Sequence, residues 1–139
     1  MEWFIIKTST LLVRVAVDEI VYVKADGNYC DLVLVNGQRR KMTFQLHHFE
    51  DHFKLLNNAD MFIRVGRSLI VNKHYIQIID LIDQTITFGG KNLVREPKSG
   101  SHHLPPTRPE ERGSMYTVKV SRDALKQLKE QLENTKGGE

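Results

Sequence analysis

The sequence predicts a small α+β domain that is mainly β, with two short helices. Most of its apolar residues fall in short β-prone runs separated by turn residues, which is typical of antiparallel strands. Only two segments, one mid-chain and one at the end, repeat apolar residues at helical spacing. The length of 139 residues suits one domain with its own hydrophobic core.

The first third of the chain is predicted to form a β-meander. The expected strands cover residues 3–7, 11–15, 20–24, 29–35 and 38–43. The third of these strands is a continuous β-branched and aromatic run, so we expect it to be buried on both faces. Asp26-Gly27-Asn28 marks a turn, and Asn36-Gly37 is the strongest hairpin signal because both of its residues tolerate a positive φ.

Two segments have the apolar spacing of amphipathic helices. Residues 45–56 repeat Leu and Phe with helical periodicity. Residues 122–134 carry leucines on one side and follow Ser121, whose hydroxyl is suited to cap a helix N-terminus. Further strands are expected at residues 61–65, 69–72, 76–82, 85–88 and 116–120, and a turn at Gly89-Gly90 leads into residues 92–95.

One stretch interrupts this pattern. Residues 97–115 contain all four prolines of the chain, together with Ser99-Gly100-Ser101 and a run of charged residues. Such a composition has little to bury, so we expect a flexible insertion. Because the strand expected after it returns to the fold, the segment is an insertion in a hairpin of one domain, residues 1–139, rather than a linker between two.

Composition excludes few classes of function. A net charge of +3 and a pI near 9.0 permit nucleic-acid binding without requiring it. The single cysteine, Cys30, cannot form an internal disulfide, which is expected in a reducing compartment. No apolar run approaches the roughly 20 residues that span a bilayer, and the chain start lacks the basic residues of a signal peptide. We therefore expect a cytoplasmic protein.

The most informative stretch is residues 61–72, Met-Phe-Ile-Arg-Val-Gly-Arg-Ser-Leu-Ile-Val-Asn. Two β-prone runs flank Gly66-Arg67-Ser68, so the connection is predicted to be short and to hold Arg67 in place. A fixed guanidinium suits a planar or phosphate partner. A lone surface arginine more commonly forms a salt bridge, but the residues on both sides favour a binding role here.

This stretch resembles the core motif Phe-x-Arg-Val-His-Arg-Ser-x-Ile-Val-Asn of the LytTR family of bacterial DNA-binding domains. Residues 18–29 resemble the family's Ile-x-Tyr-Ile-Glu-Ala-x-Gly-Asn-Tyr, and Lys73-His74-Tyr75-Ile76 and Val118-Lys119-Val120-Ser121-Arg122 also have family counterparts. The resemblance extends in order over residues 17–132, apart from the insertion. The one clear departure in the core motif is Gly66, where the family usually has histidine.

The resemblance implies elongated antiparallel β-sheets whose loops, rather than a recognition helix, enter the major groove. It also implies sequence-specific binding of duplex DNA by a bacterial transcription regulator, similar to the DNA-binding part of a response regulator. Family members commonly occupy paired sites, so two copies on DNA are expected. Double-stranded DNA is the expected partner, with no cofactor, metal or small-molecule substrate.

Three predicted loops are candidates for DNA contact, at residues 26–30, 66–68 and 121–122. The resemblance maps the family's contacts to the positions of Cys30, Arg67 and Arg122. Both arginines can bind guanine O6 and N7 or clamp a phosphate. A cysteine is a poor hydrogen-bonding group, so Cys30 would make an apolar contact, for instance with a thymine methyl, or none.

Four further residues near the loops or the core motif are candidates for DNA contact. Asn28 could bind adenine or simply form the turn. Arg64 is expected to contact a phosphate or to form a salt bridge rather than to read a base. Lys24 and Lys73 are phosphate candidates.

The two loop serines and Gly66 complete the candidate region. Ser68 and Ser121 are expected to hold their loops through local backbone hydrogen bonds, with phosphate contact as a second role. If the family's histidine packs there or contacts the DNA backbone, Gly66 removes one interaction and loosens the turn. We expect the fold to tolerate this change.

Catalysis is not indicated, and a second binding function stays open. His47, His48 and His52 lack the acidic partner and further ligands of a zinc site, so a solvated helix face is favoured. The alternative is a protein-interaction module on a LytTR-like fold that has lost DNA readout. Gly66 and the mild net charge favour it, whereas the two loop arginines speak against it.

Overall fold

The computed structural model describes residues 1–90, Leu93 and residues 116–134. Within these ranges the chain forms ten strands and two α-helices, which confirms the mainly β class. The strands are β1 (Trp3–Lys7), β2 (Leu12–Ala16), β3 (Ile20–Asp26), β4 (Tyr29–Leu34), β5 (Arg39–Met42), β6 (Phe62–Val65), β7 (Leu69–Asn72), β8 (Ile76–Asp80), β9 (Thr85–Phe88) and β10 (Thr117–Lys119). The helices are α1 (Leu46–Lys54) and α2 (Arg122–Glu133). The expectations for residues 92–95 and 97–115 fall, apart from Leu93, outside the described residues.

The bounds of β1, β7 and β9 are as expected, and those of the other elements differ from the expected ones by one or two residues. The differences of two residues are in β3, which continues to Asp26, in α1, which ends at Lys54, and in β8, which ends at Asp80. β8 ends there because the Asp80 carboxylate accepts hydrogen bonds of 2.9 and 3.0 Å from the backbone N–H groups of Ile82 and Asp83. This local pairing turns the chain out of the strand.

The strands of the described ranges pair antiparallel in three sheets. The largest has the order β5-β4-β3-β7-β6, the second joins β8 and β10 to the two edges of β9, and the third is the ribbon β1-β2. The expected meander therefore holds for β3, β4 and β5, whereas β1 and β2 pair only with each other. In the largest sheet β7 lies beside β3, although β4, β5, α1 and β6 lie between them along the chain.

One face of the five-stranded sheet is covered by α1 and the β1-β2 ribbon. Leu46, Phe49 and Phe53 of the predicted helical stripe are buried there. The Phe53 ring packs 5.0 Å from the ring of Phe4 and 4.0 Å from that of Phe62, measured between ring centroids. These aromatic contacts fix α1 against the sheet.

The other face is covered by α2 and the three-stranded sheet. Leu125 and Leu128 of α2 are buried in this second core, and the rings of Tyr22 and Phe88 stack at 5.1 Å. β3 lies between the two cores, so its predicted burial on both faces is confirmed. Among the described helices, none is long and apolar enough to cross a membrane.

Candidate nucleic-acid interface

The β3–β4 turn carries the first candidate loop. Asp26 and Tyr29 are its last paired residues, so Gly27 and Asn28 form a two-residue connection, as Asp26-Gly27-Asn28 predicts. Gly27 has a φ of +62°, a left-handed conformation that glycine adopts without steric cost. Asn28 is exposed at this tip, where its amide is accessible to a partner.

The β6–β7 connection carries the second candidate loop. Val65 pairs with Leu69, so only Gly66, Arg67 and Ser68 lie between the two strands, and the predicted tight connection is confirmed. Gly66 also has a φ of +62°. Arg67 is exposed, and no partner for its guanidinium occurs among the described residues.

A backbone hydrogen bond joins these two loops. The N–H of Ala25 donates to the carbonyl of Ser68 over 2.8 Å, one residue beyond the pairing of Lys24 with Leu69. The loops therefore emerge side by side at one end of the five-stranded sheet. Ser68 takes part in this link through its backbone carbonyl. Its hydroxyl was expected to hold the loop, but it has no hydrogen-bond partner within the described ranges.

The start of α2 brings the third candidate loop to the same end. Ser121 caps the helix as predicted, because its hydroxyl accepts a hydrogen bond of 3.3 Å from the Ala124 N–H. A Cβ atom placed on Gly66 would lie 3.4 Å from the Ala124 Cβ, so the second loop and the first turn of α2 are in close approach. Arg122, the first helical residue, is exposed beside this contact.

The side chain of Arg64 makes its contacts within the protein. One Nη atom lies 2.6 Å from a carboxylate oxygen of Glu50 on α1. The guanidinium also donates to the carbonyls of Gly66 at 3.2 Å and Arg67 at 2.9 Å. The structure therefore contains the salt bridge that the sequence left open as one of two roles for Arg64.

A group of charges surrounds the β3–β4 turn. The Lys41 ammonium lies 3.0 Å from an Asp26 carboxylate oxygen and 3.2 Å from an Asp31 one. The hydrogen bond from Lys41 lowers the pKa of Asp26, and the hydrogen bonds to Asp26 and then to Asp31 raise the pKa of Lys41. Lys24 is half-buried and lies opposite Asp31 in the pairing of β3 with β4. The positive charges of two lysines therefore offset the negative charges of two carboxylates near this turn.

Two of the nine candidate residues do not lie at the loop surface. Cys30 is fully buried in the core that faces α1, and this burial raises the pKa of its thiol. Of the alternatives for Cys30, the absence of a DNA contact is therefore favoured. Lys73 follows the opposite end of β7 from Ser68, where its ammonium is 3.9 Å from a carboxylate oxygen of Asp60.

Sequence reasoning missed three residues that hold the loops, namely Glu50, Lys41 and Ala124. Lys41 had a misleading signal, because a two-residue Asn36-Gly37 turn would pair it with Leu32, whereas the observed β4–β5 register pairs it with Asp31. Glu50 and Ala124 had none, since each reaches the β6–β7 loop from a helix that is distant in sequence. The motif residue Asn72 was also missed as a structural residue. It is buried, and its side chain donates to the Ile20 carbonyl at 2.9 Å.

Two comparisons place the chain among known proteins. The model of the LytTr DNA-binding domain family matches residues 11–99, which contain the β3–β4 turn and the β6–β7 loop but not α2. The fold is similar to the solved LytTr DNA-binding domain of a Bacillus cereus protein named as a methyl-accepting/DNA response regulator. That similarity has a TM-score of 0.57 at 20% identity and covers 95% of this chain and 97% of that one. No curated protein has a significantly matching sequence.

Proposed function

The chain belongs to the LytTR family of DNA-binding domains, and from that premise we propose that it recognises specific duplex sequences through loops placed in the major groove. DNA binding and regulation are the family's general role. The proposal of sequence-specific binding rests on one observation. The loops that carry Arg67 and Arg122 lie next to each other at one end of the five-stranded sheet. Both arginines are exposed, and neither has a partner among the described residues.

Arg67 and Arg122 are the proposed base readers. An arginine fork can donate two hydrogen bonds to guanine O6 and N7, and it keeps its charge at every physiological pH. Arg67 is held on a three-residue loop, and Arg122 lies in the first turn of a capped helix. Because the three-residue loop and the capped helix already restrict the backbone, less conformational entropy is lost when the two arginines bind.

The remaining candidates position the domain on the duplex. Asn28, at the tip of the β3–β4 turn, is a candidate for adenine because an amide can pair with its N6 and N7 atoms. Lys24, Ser68 and Ser121 lie at or beside the loops and are candidates for phosphate contacts, which orient a protein without reading sequence. We assign no DNA contact to Lys73, because it lies beyond the opposite end of β7.

The proposed biological role is that of a bacterial transcription regulator. A single domain with two or three loops in the groove reads few base pairs, so paired sites occupied by two copies would lengthen the sequence that is recognised. We therefore propose double-stranded DNA with a repeated half-site as the target.

The experiment is selection of bound duplexes from a random library. The wild-type protein is expected to enrich a paired motif, which an Arg67→Ala, Arg122→Ala double variant loses. A Lys54→Ala, Lys73→Ala double variant removes the same charge at the opposite end of the fold, where Lys54 ends α1 and Lys73 follows β7, so it should enrich the wild-type motif.

A protein-interaction module is the outcome that would replace this proposal. Specific DNA binding should weaken with salt by a log–log slope of about −0.9 per neutralised phosphate. If no duplex is enriched at low salt, and affinity does not exceed that of a scrambled basic control, then the loops do not read DNA.

A further inference from the structure

We propose that Glu50 of α1 is a positioning residue for DNA sequence recognition and that it acts through Arg64 on the loop that carries Arg67. This inference rests on the proposed function and adds a residue to it that lies outside the three loops. It assigns α1 a role in the specificity of binding in addition to its place in the core.

The contacts form one chain from the helix to the loop. Glu50 Oε1 lies 2.6 Å from Arg64 Nη1, and the same guanidinium donates from Nε to the Gly66 carbonyl at 3.2 Å and from Nη2 to the Arg67 carbonyl at 2.9 Å. Three nitrogens of one planar group thus bind one carboxylate and two successive carbonyls. The directions of the loop carbonyls are therefore coupled to the position of α1.

This arrangement affects the geometry of the loop more than the stability of the fold. The side chains of Arg64 and Glu50 are 33% and 30% exposed, so solvent screens the ion pair and its direct contribution to folding is small. Glu50 follows the buried Phe49 on α1, which gives the carboxylate a rigid support. A guanidinium held by such a support restricts the backbone dihedrals of Gly66 and Arg67. Glycine has the widest range of backbone dihedrals, so the restriction affects the conformation of Gly66 most.

The loop is also confined from the opposite face. Arg64 approaches it from the side of α1, while Ala124 of α2 lies 3.4 Å from the Cβ position of Gly66. The substitution of glycine for the family's histidine therefore does not leave the loop without support. With Ala124 alone, one side of the loop would be open, so we assign the Glu50–Arg64 pair the role of fixing where Arg67 enters the groove.

The first test removes the carboxylate in two ways. Glu50→Ala eliminates the acceptor for Arg64, whereas Glu50→Gln keeps an acceptor oxygen at the same reach and removes only the charge. Asp51→Ala is the matched control, because Asp51 is an exposed acid on the same helix with no ion pair among the described residues. Binding is measured on the selected duplex and on a scrambled duplex, and the melting temperature of each variant confirms that it folds.

Positioning and simple electrostatics predict opposite results. If Glu50 acted only by repelling phosphates, Glu50→Ala, Glu50→Gln and Asp51→Ala would all bind both duplexes more tightly. The proposal expects Glu50→Ala to lower the ratio of specific to scrambled affinity about fivefold or more, the discrimination of roughly one base contact. Glu50→Gln should retain most of that ratio, and Asp51→Ala should retain all of it. Equal ratios for Glu50→Ala and wild type would overturn the proposal.

The second test separates positioning from a phosphate contact by Arg64. Arg64→Lys keeps the charge but cannot reach the carboxylate and both carbonyls together, because an ammonium lacks the planar fork. The proposal expects this variant to lose specificity while its salt slope on scrambled DNA stays unchanged. A direct phosphate contact instead predicts retained specificity in Arg64→Lys and a slope reduced by about 0.9 in Arg64→Ala. That result would also overturn the proposal.

Failure of the proposed function gives a different pattern. If the wild-type protein does not distinguish the two duplexes, or if neither Arg67→Ala nor Arg122→Ala changes specific binding, the loops are not base readers and the proposed function itself is wrong. If Arg67→Ala loses specificity while Glu50→Ala and Arg64→Lys keep it, the function stands and only the positioning role fails. Backbone ¹⁵N relaxation of the free protein gives a DNA-independent check, since Glu50→Ala should increase fast motion at residues 66–68 and Asp51→Ala should not.

Discussion

The backbone N–H of Ala25 donates a hydrogen bond of 2.8 Å to the carbonyl of Ser68. This bond crosses from β3, next to the turn that carries Asn28, to the loop that carries Arg67. Two segments that are far apart in sequence therefore share one end of a sheet. The close approach of Gly66 to Ala124 adds the start of α2 to the same end.

The first prediction concerns the two exposed arginines. Arg67→Ala and Arg122→Ala should each cost about 1–3 kcal/mol of specific binding free energy, because each removes a fork that reads a base. Affinity for the selected duplex and for single-base variants of it measures the loss. Lys73→Ala is the control and should keep the specificity of the wild type. Unchanged specificity in both arginine variants would remove these residues from the site.

The second prediction compares two glycines with the same backbone conformation. Gly66 and Gly27 both have a φ of +62°, so Gly66→Ala and Gly27→Ala should each lower the free energy of unfolding by about 1–2 kcal/mol, the cost of a left-handed L-residue. At Gly27 an added Cβ meets no atom within 4 Å, and at Gly66 it makes an ordinary contact of 3.4 Å with Ala124.

Urea unfolding of both variants provides the measurement. Similar costs are expected, since the contact with Ala124 is neither a clash nor a large gain. A cost at Gly66 that exceeds the cost at Gly27 by more than about 1 kcal/mol would instead mean that α2 must shift, as overpacked sites do.

The third prediction concerns the carboxyl of Asp26. The hydrogen bond from Lys41 lowers its pKa from the usual 3.8, so the folded state binds this proton less readily than the unfolded state. The resulting stabilisation is present above the unfolded pKa and is lost as the pH falls through the folded pKa. Lys41→Met should therefore return the pKa of Asp26 towards 3.8.

An NMR titration of the Asp26 carboxyl carbon measures this change. Lys24→Met is the matched control, because Lys24 lowers the pKa of Asp26 only through a weaker charge interaction without a hydrogen bond. Its effect should be smaller than that of Lys41→Met. Equal effects of the two substitutions would show that general charge, rather than the hydrogen bond, sets the pKa.

The fourth prediction concerns the proposed insertion at residues 97–115. Thr87 of β9 pairs directly with Thr117 of β10, so the described strands that precede and follow this region are neighbours in one sheet, and a short connection can join them. Replacement of residues 99–113 by a short Gly-Ser turn should leave the fold intact, because a shorter loop costs less entropy to close.

The thermal unfolding midpoint of the shortened protein is the measurement, and it should stay within a few degrees of the wild-type value. Tyr116, whose hydroxyl donates to the Leu34 and Val35 carbonyls, stays in place as an internal anchor. A large fall in the midpoint would show that the removed residues pack against the core.

Local patterns determined most of the elements. Short β-prone runs between turn residues predicted the strands, Asp26-Gly27-Asn28 and Gly66-Arg67-Ser68 predicted two tight connections, and Ser121 predicted the start of α2. These features depend on residues that are close in sequence, so a pattern of a few residues carries the information. The family resemblance followed from the same local stretches.

Tertiary structure decided which of the candidate residues meet. The placement of β7 beside β3 put Ser68 next to Ala25 and put Lys73 at the far end, and the pairing of β4 with β3 turned Cys30 into the core. No sequence pattern contains such relations, because strand order and helix docking depend on which apolar faces bury each other. For the same reason, the sequence by itself named Arg64 as a candidate, and only the folded chain supplied Glu50 as its partner.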